Sequence, residues 1–382
     1  MDGVSSIPWR IGIQQRVLPA YRAPFFAALA QVCTGGLSLF AGQPRPQEAI
    51  ESAREVEGVA LFPARNVHLL GGPLYLCWQA GWTAWLTTFQ PQVLIVEANP
   101  RYLTTPRGVQ WVRRRGGVVI GWGLGAPETG RVPLLSGLRR AWRQRFLAQF
   151  DVLIAYSRRG AADYAALGFD PARIVVAPNA ATPRPTWLPP QRPPAYPEGR
   201  PTVLFVGRLQ ARKRVDLLLR ACAALPPALQ PRLRIVGDGP ARPGLEALAQ
   251  AVYPAAEFLG AIHGAALRPL FEQADLFVLP GTGGLAIQQA MAHALPVIVA
   301  AGDGTQADLV RPANGWHVPS GDLTALTATL AEALSDPARL RRMGAESFRI
   351  VSEEINLETM VAAFVRAVHL AWEYRHGGQP CT

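Results

Sequence analysis

Two series of short apolar segments, separated by a proline-rich stretch, set the strongest limit on the fold of this chain of 382 residues. The stretch, residues 178–201, reads PNAATPRPTWLPPQRPPAYPEGRP. So many prolines predict a semi-rigid linker that packs into neither sheet. The segments on either side are β-branched and mostly uncharged, which is typical of strands buried on both faces. Helical patterns alternate with them, and this alternation favours parallel sheets built from β-α-β units.

The predicted strands fall on both sides of this stretch. In the first series they are Trp9–Ile13, Leu37–Ala41, Val93–Val96, Val118–Gly121, Val152–Ala155 and Ile174–Ala177. In the second they are Thr202–Val206, Arg232–Val236, Glu257–Leu259, Leu276–Leu279 and Val297–Ala300. We therefore expect two doubly wound α/β domains, over residues 1–178 and 201–356, with a linker over 179–200. Ligands of such sheets bind at the carboxyl ends of the strands, so a cleft between the domains is the expected site.

Composition excludes several classes of protein. Hydrophobic residues make up 49% of the chain and charged residues only 17%, so it is able to bury a large core and is not disordered. The four cysteines lie far apart, without a CxxC pair or a Cys/His cluster, which argues against a zinc site or a disulfide scaffold. No signal peptide or membrane span is predicted, and a cytoplasmic location fits these features.

The formal net charge is +11, yet of the 38 basic side chains only Lys213 is a lysine. Codon composition explains such a skew, but a basic chain also attracts nucleic acid, anionic lipid or phosphorylated ligands. No nucleic-acid recognition motif interrupts the two series, so we expect no nucleic-acid partner. A lysine that survives among so many arginines indicates a site that needs a compact ammonium group.

Two cations follow the first strand of the second series. The strand ends at Gly207, and Arg208 and Lys213 lie in the turn before the next helix. At the mouth of the sheet, such a pair is able to hold a diphosphate from two sides. A solvated surface pair is the competing interpretation.

Glycine turns follow two more of the predicted strands. The turn IVGDGP, around Gly237, allows positive φ angles and the close approach of a ligand. A second turn contains Gly281, Gly283 and Gly284, and a helix begins near Leu285. The free amides and the positive dipole end of that helix favour an anion. A tight turn without a ligand is the alternative for each.

These motifs occur in an order that resembles a known family. GRLxxxKxxD, IVGDGP, FLG (Phe258–Gly260), ADLFVLP and QAMAHALPVI resemble the C-terminal half of retaining GT-B glycosyltransferases of family 4 (group 1). VLPAYRAPFFAAL (Val17–Leu29), DVLIAYSRRG and VVAPN (Val175–Asn179) are similar, more loosely, to its N-terminal half. The resemblance covers most of the chain. It implies the GT-B fold, with two Rossmann-like domains facing a cleft and a final helix, at about 357–375, that crosses back to the first domain.

The resemblance also implies a function. The chain would be a hexosyltransferase that moves a sugar, with retention, from a UDP- or GDP-sugar to a glycan or lipid-linked acceptor, without metal or cofactor. Arg208 and Lys213 match the diphosphate-binding pair and would act in catalysis by stabilising the leaving group. The donor-binding residues expected are Gly207, Gly237, Ala261, Ile262, Gly281, Gly283, Gly284, Leu285 and Gln289.

Three positions depart from the family's pattern. The family usually carries two glutamates eight residues apart, where this chain has Gly281 and Gln289. Gln289 keeps an oxygen that accepts hydrogen bonds from the ribose but loses the charge. Leu124 stands where some relatives have a histidine that faces the sugar. These departures favour an alternative, a catalytically impaired GT-B protein that binds nucleotide sugar or glycan as a regulatory or scaffold partner.

The acceptor side is predicted from the first domain. Arg16, Tyr21 and Arg22 follow the first strand and are expected to border the cleft. Trp122 and Leu124 lie at the end of a later strand and complete the set of acceptor-side candidates.

Two aromatic and apolar stripes complete the sequence features. The segment Arg131–Gln149 predicts a basic amphipathic helix, whose apolar face carries Leu134, Leu138, Trp142 and Phe146. Such a helix favours peripheral contact with an anionic membrane at its cytoplasmic face, and a core-packed helix is the alternative. The second stripe, also at helical spacing, favours a buried helix and consists of Tyr75, Trp78, Trp82 and Trp85.

Overall fold

The structure is a computed structural model that describes residues 5–48, 50–125, 136–283, 285–302 and 305–377. The chain divides into two compact units. Unit 1 comprises Met1–Ala181 together with Leu357–Thr382, and unit 2 comprises Thr182–Asn356.

Unit 1 is a parallel sheet with helices on both faces. Its strands are β1 (Ile11–Val17), β2 (Leu37–Gly42), β3 (Val59–Pro63), β4 (Arg65–Leu69), β5 (Leu76–Ala80), β6 (Val93–Glu97), β7 (Val118–Gly123), β8 (Val152–Ala155) and β9 (Ile174–Val176). Its helices are α1 (Ala23–Val32), α2 (Trp82–Phe89), α3 (Thr105–Arg113), α4 (Ser136–Leu147), α5 (Arg158–Ala166) and, at the end of the chain, α13 (Leu357–His376). Among the described residues the main sheet has the order β3-β2-β1-β6-β7-β8-β9.

The alternation of side chains along β6 shows why its apolar sequence forms a central strand. Val93 and Ile95 join the core cluster beneath α1 and α13, whereas Leu94 and Val96 join the cluster beneath α2 and α3. Successive residues of a strand point to opposite faces, so a strand covered by helices on both sides is apolar throughout.

A hairpin replaces part of one predicted helix. Strands β4 and β5 pair antiparallel, and Trp78 lies opposite Val67 in that pairing. Gly81, with a φ of 105°, ends the hairpin and begins α2. The helix predicted from the aromatic stripe is therefore wrong for Trp78, and Tyr75 lies outside α2 as well. Trp82 and Trp85 do lie on α2, where they are buried in the core.

Unit 2 is a second parallel sheet. Its strands are β10 (Thr202–Val206), β11 (Arg232–Val236), β12 (Glu257–Phe258), β13 (Leu276–Leu279), β14 (Val297–Ala300) and β15 (Gly315–Val318). Its helices are α6 (Val215–Ala223), α7 (Arg242–Val252), α8 (Arg268–Gln273), α9 (Leu285–Ala292), α10 (Thr305–Leu309), α11 (Leu323–Leu334) and α12 (Pro337–Arg349). In the part of unit 2 that the structure describes, the strand order is β12-β11-β10-β13-β14-β15.

The proline-rich stretch is attached to unit 2. The indole N–H of Trp187 donates a hydrogen bond to the carbonyl of Ala292 at 3.1 Å. The guanidinium of Arg192 donates to four backbone carbonyls, those of Phe271, Ala274, His293 and Ala294, at 2.6 to 2.9 Å. The prediction was a semi-rigid linker that packs into neither sheet, whereas these side chains bind carbonyls of unit 2.

Candidate functional site

The predicted donor residues meet at one edge of the sheet of unit 2. Gly207, Gly237 and Gly281 follow the carboxyl ends of β10, β11 and β13, and Ala261 follows β12. These strands are parallel, so their carboxyl ends share that edge. The strand order reverses between β10 and β13. Ligands of open α/β sheets bind at such a reversal.

Lys213 connects the two loops at this reversal. It ends a short 3₁₀ turn after β10, and Arg214, with a φ of 54°, turns the chain into α6. The Nζ of Lys213 donates to the backbone oxygen of Thr282, in the loop after β13, at 2.6 Å. The amide of Thr282 in turn donates to the backbone oxygen of Arg212 at 3.0 Å. Burial and the neighbouring Arg212 lower the pKa of Lys213 to about 8.

Arg208 lies in the same connection between β10 and α6 but in a different environment. Its side chain is exposed, and no hydrogen bond or ion pair joins it to any described residue. A guanidinium in that state is available for bidentate binding of phosphate. Within the described residues, no group of three His, Cys, Asp or Glu side chains is arranged to hold a metal ion.

The loop after β13 approaches Lys213 because it carries glycines. A Cβ at Gly281 would overlap the backbone oxygen of Arg212, so no larger residue fits there without moving the chain. Gly283 adopts a φ of 135°, which favours glycine, and a Cβ there would overlap the Nζ of Lys213. Gln306 also holds the loop, since its Nε2 donates to the carbonyl of Gly283 at 3.1 Å.

The other donor candidates surround this loop. Gly284 lies outside the described residues, and Leu285, the first residue of α9, is partly buried. Gln289 is exposed on α9, in contrast to its neighbour Gln288, which is buried. Ala261 is exposed and Ile262 is partly buried against the core.

The acceptor-side candidates lie in unit 1, where they fall into two groups. Arg22 and Trp122 are buried, with the guanidinium carbon 4.7 Å from the centroid of the indole ring. Arg16 is half-buried and forms an ion pair with Glu48 at 2.9 Å. Tyr21 is 42% exposed and Leu124 is 46% exposed. Tyr21, whose ring lies beside the Arg22 guanidinium, and Leu124 therefore present more surface to a ligand than the other three side chains do.

Sequence reasoning missed Glu97, the last residue of β6. It lies where the strand order of unit 1 reverses, between β1 and β6. Burial raises the pKa of the Glu97 carboxyl above its usual value, although Tyr102, Arg16 and Arg22 favour the carboxylate. A signal was present, because Glu97 is the first formal charge after the uncharged stretch from Leu69 to Val96.

Two family models match the chain. The model for "Glycosyl transferase 4-like domain" matches residues 20–180, and the model for "Glycosyl transferases group 1" matches residues 200–336. A "GDP-mannose-dependent alpha-mannosyltransferase" of Mycolicibacterium smegmatis is 44% identical over 119 residues, which cover 30% of this chain and 29% of that protein. The chain spans less than half the length of the curated relatives it matches.

Solved structures match nearly the whole chain. HepE of Anabaena, in complex with UDP, has a TM-score of 0.66 at 15% identity and covers 94% of this chain and 99% of that one. Sucrose-phosphate synthase from Thermosynechococcus elongatus has a TM-score of 0.63 at 20% identity and covers 92% and 96%. At such identities the likeness shows the fold, which is the two-sheet GT-B architecture.

Proposed function

We propose that this GT-B glycosyltransferase transfers a hexose from a nucleoside diphosphate sugar to a glycan or lipid-linked acceptor, with retention of anomeric configuration and without a metal ion. The observation that carries the proposal is the pair of cations at the sheet reversal of unit 2. Lys213 is held there by the loop after β13, and Arg208 is exposed in the connection that follows β10.

The donor would be a UDP- or GDP-sugar. A relative named for its GDP-mannose dependence and a structural neighbour solved with UDP support these two nucleotides. The side-chain oxygen of the exposed Gln289 would accept a hydrogen bond from a ribose hydroxyl, and the backbone at Ala261 would contact the nucleobase. Two positive charges beside a helix N-terminus suit a diphosphate.

Catalysis would depend on stabilising the leaving diphosphate. As its bond to the sugar breaks, negative charge grows on the phosphate oxygen, and a preorganised ammonium and guanidinium stabilise that charge. In the front-face mechanism proposed for retaining enzymes of this kind, the leaving diphosphate takes the proton of the acceptor hydroxyl. The chain then needs no base of its own, and the absence of a side chain at Gly281 does not block the reaction.

A thermal-shift panel tests donor binding. UDP, GDP, ADP and their sugars are added to wild type and to Lys213→Ala at about 100 times the expected Kd, where a ligand stabilises by about 2.7 kcal/mol. We expect one nucleotide family to raise the Tm of the wild type and to lose that effect in Lys213→Ala. Arg220→Ala is the matched control, because Arg220 is an exposed cation on α6.

Turnover and stereochemistry need separate readouts. Release of nucleotide from the bound sugar, followed by proton NMR of the anomeric centre of the product, distinguishes retention from inversion. A Lys213→Ala protein that turns over donor as fast as wild type would refute the catalytic proposal. Donor binding without hydrolysis or transfer would instead support the binding-protein alternative.

Peripheral attachment to the cytoplasmic face of a membrane is the second part of the proposal. On α4, Leu138 is 70% exposed and Trp142 is 50% exposed, beside the exposed Arg139. Phe146 is buried in the core, and Leu134 lies outside the described residues. Phe146 thus packs α4 onto the core, while Leu138 and Trp142 are exposed among arginines. This arrangement suits an anionic lipid surface. No described helix has both the length and the apolar character needed to span a bilayer.

Vesicle co-sedimentation tests this attachment. Wild type is expected to pellet with phosphatidylglycerol vesicles and to remain free with phosphatidylcholine vesicles. The double variant Leu138→Ala/Trp142→Ala should lose most of the binding. Leu188→Ala, which removes a still more exposed leucine from unit 2, should behave as wild type. Failure of the wild type to sediment at any anionic lipid content would refute the attachment.

A further inference from the structure

Glu97 is held in a fixed position at the sheet reversal of unit 1. Its backbone N–H donates to the side-chain oxygen of Gln14 on β1 at 3.1 Å, and its carbonyl accepts from the amide of Asn99 at 2.7 Å. Gln14 is itself fully buried. These bonds fix the end of β6 beside β1, at the position where parallel sheets bind their ligands.

The arginines near Glu97 are already engaged elsewhere. Arg16 donates to Glu48, whose carboxylate also accepts from Arg45. Burial opposes ionisation of Glu48, but these hydrogen bonds lower its pKa to about 2. Arg22 packs on the rings of Trp122 and Tyr156 and donates to the hydroxyl of Tyr156 at 3.2 Å.

Glu97 itself is in no ion pair with a described residue. It keeps part of its surface exposed, and hydrogen bonds from the hydroxyl of Tyr102 and from the backbone N–H of Arg16 favour its charged form. A carboxylate accepts about four hydrogen bonds, so Glu97 retains capacity for a ligand. A buried carboxylate oxygen without a hydrogen-bond partner costs free energy. A ligand hydroxyl that donates to it removes this cost and so gains binding free energy.

The surrounding groups favour a neutral polyhydroxyl ring over an anion. The cations have partners, and a carboxylate at the centre would repel a phosphate. The half-exposed ring of Tyr21 lies beside Arg22, with the guanidinium carbon 5.6 Å from its centroid. Aromatic faces pack against the C–H surface of a sugar, while a carboxylate accepts hydrogen bonds from its hydroxyls.

We propose that Glu97 is the acceptor-binding residue of unit 1, and that its carboxylate accepts hydrogen bonds from a hydroxyl of a neutral sugar or cyclitol ring. This inference rests on the proposed transferase function, because it names the class of acceptor. It assigns no acid–base step to Glu97.

Binding without donor tests the inference independently of turnover. Saturation-transfer difference NMR is recorded on the full chain with methyl α-D-mannopyranoside and with myo-inositol as probes. Wild type should bind at least one probe, and Glu97→Gln should weaken that binding at least tenfold, because a charged acceptor is lost. Glu57→Gln is the control, since Glu57 is an exposed glutamate of the same unit. Equal Tm values for the three proteins show that folding is unchanged.

Each outcome bears on the inference. Probe binding that is unchanged in Glu97→Gln, or no binding of either probe to the wild type, would overturn it. Probe binding that depends on Glu97 in a protein with no transferase activity would support this site and refute the proposed function instead. In an active enzyme, Glu97→Gln should slow transfer to the probe at least tenfold while hydrolysis of the donor stays within twofold of wild type.

Discussion

The Nζ of Lys213 lies 2.6 Å from the backbone oxygen of Thr282, so the sole lysine of the chain joins the two loops at the sheet reversal of unit 2. An ammonium group has three donors, and this bond uses one of them. The remaining donors are available to a phosphate. The bond also fixes the position of the ammonium charge before a nucleotide sugar binds. This reduces the reorganisation that binding requires.

Affinity for the nucleotide sugar should fall as the pH rises through 8. Burial and Arg212 lower the pKa of Lys213 to about 8, and the protonated form, present below that pKa, is the one that binds phosphate. A bound diphosphate raises the pKa again, so linkage predicts a Kd about tenfold higher at pH 9 than at pH 7. Calorimetric titration with the nucleotide sugar that the thermal-shift panel selects measures this. Lys213→Arg stays charged over this range, so its Kd should change far less. It also controls for ionisation of the nucleobase in the ligand. Parallel pH profiles for the two proteins would contradict the prediction.

Restoring the family's glutamate at position 281 should damage the protein. A Cβ at Gly281 overlaps the backbone oxygen of Arg212, so even Gly281→Ala forces the two loops apart. We expect Gly281→Ala to lower the free energy of unfolding by about 1–3 kcal/mol, the usual cost of overpacking. Gly281→Glu should do the same and gain no activity. Urea unfolding and donor turnover measure both effects.

Gly244→Ala is the control for this substitution. Gly244 lies on α7, and nothing lies within 4 Å of a Cβ built there. Alanine should stabilise that helix by about 0.5–1 kcal/mol. If Gly281→Ala proved as harmless as Gly244→Ala, the close approach of the two loops would be wrong.

Gln289→Glu should strengthen donor binding. Gln289 is exposed on α9, so a carboxylate there has no desolvation to overcome, unlike one at the buried Gln288. Hydrogen bonds to a charged acceptor are about twice as strong as those to a neutral one, which predicts a Kd about fivefold lower. Gln289→Ala should weaken binding, as judged by the same titration. Identical affinities in all three proteins would show that this side chain does not meet the ribose.

In the sheet of unit 2, the sequence predicted the first and last residues of four strands correctly. Thr202–Val206, Arg232–Val236, Leu276–Leu279 and Val297–Ala300 have the predicted bounds. Strands buried on both faces are rich in apolar β-branched residues, and three of these four end directly before a glycine or proline, at Gly207, Gly237 and Pro280. The glycine turns at the edge of this sheet follow directly from those ends.

The contacts between loops were not predictable in this way. Lys213 and Thr282 lie 69 residues apart in sequence, and no local pattern indicates that their loops touch. The prediction of one helix through Trp78 and Trp82 was wrong for another reason. Trp78 and Trp82 are spaced as in a helix, but they belong to a strand and a helix joined at Gly81, where only the backbone conformation reveals the break. Periodicity measures spacing along one element and does not detect a boundary inside it.

Arg192 should contribute strongly to the stability of unit 2. Its guanidinium donates to the carbonyls of Phe271, Ala274, His293 and Ala294, so truncation leaves several buried acceptors without partners. Burial and the nearby Arg341 lower the pKa of Arg192 to about 10, so the group stays charged at neutral pH. We expect Arg192→Ala to cost about 2–4 kcal/mol in urea unfolding. Arg192→Lys should recover little of this, because a lysine lacks the planar fork that reaches four acceptors.

Gln191→Ala is the neighbouring control and should leave stability within about 0.5 kcal/mol of wild type, because its side chain is exposed. Limited proteolysis adds a second readout. If Arg192 holds the proline-rich stretch on unit 2, its loss should expose residues 182–200 to cleavage before the rest of the unit unfolds. A stretch that is cut equally fast in wild type and in Arg192→Ala would mean that these four bonds do not hold it in solution.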